Sequence, residues 1–211
     1  MTIRAVIFDL GGVVLGSPLH AIAEYEKELG LPHNAVNRVV ASTAPGGAWS
    51  RLERGEIPME QFYTDFEADC RAAGHTLSAR EMMTRMGAAA QPRPIMLNAI
   101  GRLRENGFLT AALTNNWAPE ADAANDGTQA LREFFDVFIE SSVEGLRKPD
   151  PRIYALTCER LSISPDEAIF LDDIGSNLKA AKAFGLGTIK VEDPRTALSE
   201  LQQQIDLTLL D

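Results

Sequence analysis

Cysteine is scarce in this sequence: Cys70 and Cys158 are the only two in 211 residues. Two thiols are too few for a disulfide framework and fit reduced side chains. Histidine is nearly as rare. His20, His33 and His75 stand at no metal-ligand spacing, and no role is assigned to them. Long apolar runs are missing too: no stretch reaches the roughly 18 residues of a membrane span. The apolar run near the N-terminus is broken by Asp9 and has no basic segment before it, so it does not read as a signal peptide. Positive charge is also in deficit, with 20 Lys and Arg against 30 Asp and Glu and a formal net charge of −10. That balance argues against nucleic acid or an anionic membrane surface as partner. It also means that any anionic ligand needs a locally placed cation, a metal or a lysine. A cytoplasmic location is the default expectation, and no oligomeric state is legible.

What the sequence has is alternation. Hydrophobic residues make up 45% of it, enough for a substantial core in one domain or in a larger domain carrying a smaller one. Ile3 to Leu10 reads as a buried strand stopped by Gly11-Gly12, and the strand resumes briefly through Leu15 before Ser17-Pro18 signals a helix start. From residue 17 to 89 the spacing is helical. Ala21, Tyr25 and Leu29 share one period, Pro32 predicts a second helix start, and Met59, Phe62, Tyr63 and Phe66 form an apolar stripe after Pro58. Ser78, three residues before Glu81, predicts a capped start.

After Pro92-Arg93-Pro94, strands and helices alternate. Strands are expected at 108–113, 137–140, 168–171 and 187–191, and helices at 95–106, in the polar stretch after Asn116, and at 153–161, 178–184 and 197–205. Such alternation implies a parallel sheet with helices on both faces. The fold expected is therefore α/β, with residues 1–16 and 90–211 forming the sheet domain and 17–89 an all-helical insert.

Each polar group of interest lies at or just beyond the carboxyl end of a predicted strand: Asp9, Thr114-Asn115, Lys148 and Asp172-Asp173. In a parallel sheet these ends share one edge. Each has an ordinary alternative, a turn or cap for Asp9 and for Thr114-Asn115, a solvated loop for Lys148-Pro149, and an N-cap for Asp172-Asp173. Together they have a chemical logic. Carboxylates crowded in an apolar cleft repel unless a divalent cation lies between them, and an oxygen-only set without His or Cys suits Mg²⁺. Thr114, through its hydroxyl, and Asn115, through its backbone or amide, are placed to donate to a phosphoryl oxygen. Lys148 supplies a point charge, and Asp9 is the candidate nucleophile.

These four stretches, Phe8-Asp9-Leu10-Gly11-Gly12-Val13, Leu113-Thr114-Asn115, Lys148-Pro149-Asp150 and Phe170-Leu171-Asp172-Asp173, resemble the motifs of the haloacid dehalogenase superfamily across the whole chain. A narrower similarity, to the phosphatase-type N-terminal domains of soluble epoxide hydrolases, is carried by Leu113 to Trp117, Lys148 to Tyr154 and Phe170 to Leu178. The resemblance implies a Rossmann-like parallel sheet core with an inserted helical cap, and a Mg²⁺-dependent phosphatase acting on a small phosphorylated molecule. It implies Asp9 as nucleophile and metal ligand, Thr114 and Asn115 as the phosphate-binding pair, and Lys148 as the balancing cation. Asp173 is implied as the direct metal ligand with Asp172 behind it, or the reverse. An acidic pair of this kind favours phosphoryl chemistry over carbon–halogen cleavage.

One position departs from the pattern. Two residues after the nucleophile such phosphatases carry an Asp that acts as general acid and base, and here that residue is Gly11. Its backbone carbonyl still offers a metal contact, but the proton relay is gone. Slow turnover, or a preference for good leaving groups, is the consequence expected. Two alternatives follow: a phospho-ligand-binding or interaction protein impaired in catalysis, and a phosphotransferase or mutase. In the insert, Trp49 and Arg51 are candidates for touching the organic part of a substrate, against the simpler reading that Trp49 packs in the insert's core and Arg51 is solvated.

Overall fold

Strand β1 (Ala5–Phe8) is buried at every residue. Its side chains alternate between two apolar clusters. Val6 and Phe8 pack with Met96, Ile100, Leu103 and Leu198, while Ala5 and Ile7 pack with Ile153, Tyr154 and Phe170. A strand covered on both faces has to be apolar throughout, and this explains the unbroken Ala-Val-Ile-Phe run. The computed structural model describes residues 2–118 and 129–210.

After β1 the chain leaves the sheet. A π-type turn spans Leu10–Val14, where a resumed strand was expected, because Gly12 adopts φ +84° and bends the backbone away. Five helices follow: α1 (Pro18–Glu28), α2 (Ala35–Thr43), α3 (Ala48–Glu53), α4 (Met59–Ala72) and α5 (Ala79–Ala89). They share a cluster of their own around Trp49, Phe62, Phe66 and Met82. The start expected at Pro32 is displaced to Ala35. The buried Glu26 carboxylate of α1 accepts from the backbone N–H groups of Asn34 and Val36, both at 2.8 Å, and so sets where the first turn begins. Leu29, expected on the apolar face, lies just past the end of α1 and is exposed. Ser78 caps α5 as expected, accepting from the Glu81 N–H. The chain re-enters at Pro92, which bridges Leu15, while the Arg93 N–H donates to the Val14 carbonyl at 2.8 Å.

The alternation then runs as predicted. Helix α6 (Pro94–Glu105) leads to β2 (Leu109–Thr114), and a 3₁₀ helix at Gln129–Phe134 leads to β3 (Val137–Glu140). A single turn, α7 (Ser141–Glu144), and α8 (Pro151–Leu161) precede β4 (Ala168–Asp172). Helix α9 (Gly175–Phe184), β5 (Gly187–Lys190) and α10 (Pro194–Ile205) complete the described chain. The polar stretch expected to be helical after Asn116 falls largely at 119–128, outside the described residues. Every strand pairing is parallel, in the order β3-β2-β1-β4-β5. Helices α6 and α10 cover one face, α8 and α9 the other. This is an α/β, Rossmann-like sheet. Cys70 and Cys158 are buried and unpaired, and no helix among the described residues is long and apolar enough to cross a membrane.

Candidate active site

Parallel pairing brings the carboxyl ends of β1, β2, β3 and β4 to one rim, and the predicted polar residues meet there. Lys148 is the hub. Its side chain is almost wholly buried, and its Nζ lies 2.7 Å from Asp9 Oδ1, 2.8 Å from Asp172 Oδ2 and 2.9 Å from the Leu113 carbonyl. The three donors of an ammonium thus meet three acceptors from three strand ends. Burial alone would lower this ammonium's pKa, but the Asp172 and Asp9 carboxylates outweigh it and raise it above the ordinary lysine range. Asp9 is itself buried. Loss of water pushes its pKa up to about 7, against the pull of Lys148 and with a further push from Asp172.

The two acids of the pair differ. Asp172 is fully buried and fully engaged: besides Lys148 it accepts from the Ile174 N–H at 2.7 Å and from Asn177 Nδ2 at 3.1 and 3.3 Å. Asp173 Oδ1 is buried yet has no partner among the described residues. Burial and the neighbouring Asp172 push the Asp173 pKa up to about 6. Asp9, Asp172 and Asp173 each present one carboxylate oxygen within 4.8 Å of the others. An all-oxygen set with an orphaned buried member is the donor chemistry of a hard divalent cation. Gly12 is required at this place: a Cβ on it would lie 2.2 Å from Asp173 Oδ2, and its φ is +84°. Gly11 is different, with φ −66° and open space for a Cβ, whose nearest neighbours are Pro18 ring atoms at 3.5 Å.

Thr114 lies buried at the end of β2, and among the described residues its hydroxyl makes only a long 3.4 Å contact to the Asn115 carbonyl. Asn115 is committed elsewhere. Its Oδ1 accepts from the Lys148 N–H at 2.8 Å and its Nδ2 donates to the Lys148 carbonyl at 3.1 Å, so the amide clamps the backbone of the lysine.

Several residues that organise the rim were not singled out from the sequence. Asn177, one turn into α9, holds Asp172, and its carbonyl accepts from the buried Tyr154 hydroxyl at 2.9 Å. Arg93, where the chain re-enters the sheet, donates to the Gly12 carbonyl at 2.8 Å and so braces the turn after Asp9. Glu53, at the end of α3, accepts from Arg147 Nε at 2.5 Å and from Trp49 Nε1 at 2.9 Å. Arg147 and Asn177 adjoin or follow the motifs at short range, a local signal. Glu53 has none for its place at the rim, because its partners there, Asn115 and Arg147, lie 62 and 94 positions away. Trp49 packs against Phe62 and Phe66 inside the helical cluster, in accord with its simpler reading, whereas Arg51, expected to be solvated on that reading, is half-buried and pairs with Asp65 at 3.1 Å.

The family profile of haloacid dehalogenase-like hydrolases matches residues 3–185. Acyl-CoA dehydrogenase family member 10 of Mus musculus is 38% identical over 98% of this chain, which spans 19% of that protein. Bifunctional epoxide hydrolase 2 of Sus scrofa is 36% identical over the whole chain, which spans 40% of it. The chain therefore covers less than half the length of either relative. More distant matches include proteins named as phosphatases and others named as (S)-2-haloacid dehalogenases. Among solved structures, a HAD-family enzyme of Bacteroides thetaiotaomicron in complex with magnesium and inorganic phosphate superposes with a TM-score of 0.64. It is 21% identical and covers 90% of this chain and 96% of its own. With the profile running from the first strand through the acidic pair and into the helix beyond it, the chain belongs to the haloacid dehalogenase-like hydrolase family.

Proposed function

We propose that the protein is a Mg²⁺-dependent phosphatase of small phosphorylated molecules that works through a phosphoryl group transferred to Asp9. The observation that carries this reading is the unpartnered, buried Asp173 Oδ1 beside the Lys148-bridged Asp9 and Asp172. A second acid with a free oxygen beside the first suits a hard cation that would face phosphoryl oxygens. Asp9, Asp173 and the Gly11 carbonyl would hold the cation, with Asp172 behind them keeping Lys148 in place. The ion, when bound, offsets negative charge on the phosphoryl oxygens and holds the carboxylates ionised.

On this reading Asp9 attacks phosphorus, a new carboxylate O–P bond forms, and the bond to the leaving oxygen breaks. The leaving oxygen takes its proton from water, because position 11 carries no carboxyl group. A second water then attacks the phosphorus, releasing inorganic phosphate and restoring Asp9. Lys148 keeps Asp9 oriented and offsets charge on the transferring group. Thr114 and the Asn115 backbone N–H donate to phosphoryl oxygens; the Asn115 amide instead serves the Lys148 clamp. The helical segment 17–89 acts as a cap over the rim, in keeping with a cytoplasmic enzyme whose partners are small phosphorylated substrates rather than nucleic acid or membrane.

The missing carboxylate at Gly11 favours a second reading, a phospho-ligand binder impaired in turnover. Hydrolysis of an aryl phosphate separates the two. Mg²⁺-dependent release that disappears in Asp9→Asn supports the enzyme. Tight binding of phosphate compounds with no release by the wild type supports the binder, and phosphate passed to a second sugar or alcohol would mark a phosphotransferase or mutase.

A further inference from the structure

The seam between the helical segment and the sheet is built on a single carboxylate. Glu53 is buried, and its oxygens face three donors: Arg147 Nε at 2.5 Å, Trp49 Nε1 at 2.9 Å and, at a longer 3.4 Å, Asn115 Nδ2. Trp49 belongs to the helical segment, whereas Arg147 and Asn115 belong to the sheet rim. Arg147 immediately precedes Lys148, and Asn115 clamps Lys148 through both backbone polar groups. Two residues past Glu53 the seam closes to van der Waals contact: a Cβ on Gly55, whose φ is +67°, would lie 2.3 Å from the Ser142 carbonyl of α7. Trp117, just beyond Asn115, packs against Trp49 with ring centroids 6.3 Å apart.

We propose that Glu53 is a positioning residue that registers the cap on the Lys148 loop. Closure of the helical segment and placement of the ammonium against Asp9 are on this account one event, transmitted through Arg147 and Asn115. The charge of Glu53 matters because Arg147 is four-fifths buried and faces this carboxylate. Withdrawing the carboxylate frees Arg147, the residue before Lys148, and loosens Asn115, whose amide clamps Lys148, and a displacement of about 1 Å at a reacting group is enough for a large loss of rate. The proposal rests on the phosphatase reading for its kinetic consequence, but the registration itself has an independent probe. The protein has two tryptophans, and both stand at this seam.

The test compares wild type with Glu53→Gln, Arg147→Gln, their double variant and Gly55→Ala. It measures Mg²⁺-dependent aryl phosphate hydrolysis, Tm and tryptophan emission with acrylamide quenching. Glu53→Gln should lower kcat about tenfold with little change in KM, and the double variant should be about as slow as either single one, because both break the same link. Gly55→Ala should lower kcat in the same way with Glu53 intact. A lower Tm with wild-type kcat makes Glu53 merely structural, and a raised KM alone makes it a substrate contact; either result overturns the proposal. Should the wild type hydrolyse nothing, the phosphatase reading falls, and the inference is decided by fluorescence. Red-shifted, more quenchable emission in both Glu53→Gln and Gly55→Ala supports registration, and unchanged emission refutes it.

Discussion

The sheet rim and the seam are both polar, buried and close together, yet they are organised by different rules. At the rim, the carboxylates sit at or just past strand ends and Lys148 in the loop between α7 and α8, and the parallel topology converges residues that are 163 positions apart in sequence, Asp9 and Asp172, onto one ammonium. At the seam, no strand end delivers Glu53. It arrives on a six-residue helix and is matched to Arg147 and Asn115 by how the helical segment packs. The rim is therefore a property of the sheet, and the seam a property of closure. Changes at the rim should abolish chemistry, whereas changes at the seam should attenuate it.

The largest effect expected is at the nucleophile. Asp9→Asn should lower kcat by at least about 10³-fold while the protein stays folded, as read by aryl phosphate hydrolysis and circular dichroism. Lys148→Met comes next. It leaves Asp9 and Asp172 facing each other without a cation, and removing one partner from such a buried set destabilises by about 3–5 kcal/mol. Arg147→Met, at the partly open seam, should cost roughly half of that or less, both variants being compared with wild type by urea unfolding. Equal losses at the two positions would erase the distinction between rim and seam.

This distinction also separates what was legible in the sequence from what was not. Asp9, Thr114, Asn115, Lys148, Asp172 and Asp173 could be placed because apolar runs announce strands, and strands announce which end of the sheet a following residue occupies. The five strands and their parallel arrangement followed from the same pattern. Local geometry was harder to read. The strand expected to resume at Val13 is a π-type turn, because a left-handed Gly12 has to fit beneath Asp173. The helix expected from Pro32 starts at Ala35, because a carboxylate from α1 selects its first turn. Both depend on a contact between segments, which periodicity does not encode. Glu53 is the extreme case, as its neighbours in sequence say nothing about Arg147.

Two adjacent glycines sharpen the comparison within the rim itself. Gly11→Asp introduces a carboxyl where φ is ordinary and the space is open, so it should fold normally. It should raise kcat for alkyl phosphates about 10²-fold, at the lower end of what general acid–base catalysis supplies. An unchanged rate with a good leaving group, beside a raised rate with a poor one, would locate the gain in leaving-group protonation. Gly12→Ala does the opposite. Its Cβ would displace Asp173, and calorimetric titration should show Mg²⁺ binding weakened about tenfold.

The smallest effect is one of pH, and it tests whether the rim carboxylates await a cation. Burial raises the Asp9 pKa from 3.8 to about 7 and, with Asp172, raises that of Asp173 from 3.8 to about 6. A carboxyl raised on folding binds more protons in the native state than in the unfolded chain between those limits. Stability should therefore rise as pH falls through that window and be lost as pH rises through it. Glu53, also raised by burial, acts with the same sign. The exposed acids whose pKa values are lowered, among them Glu56, Glu192 and Asp193, act in the opposite sense only at lower pH. In EDTA, then, Tm should be higher at pH 5.5 than at pH 7.5, by roughly 2–4 °C for each kcal/mol of linkage. Mg²⁺ competes with these protons, so its stabilising effect should be largest at pH 7.5 and shrink towards pH 5.5. A metal-free Tm that falls on acidification across this window would mean that Asp9 and Asp173 are ionised without help, and the case for a cation between them would lose its electrostatic basis.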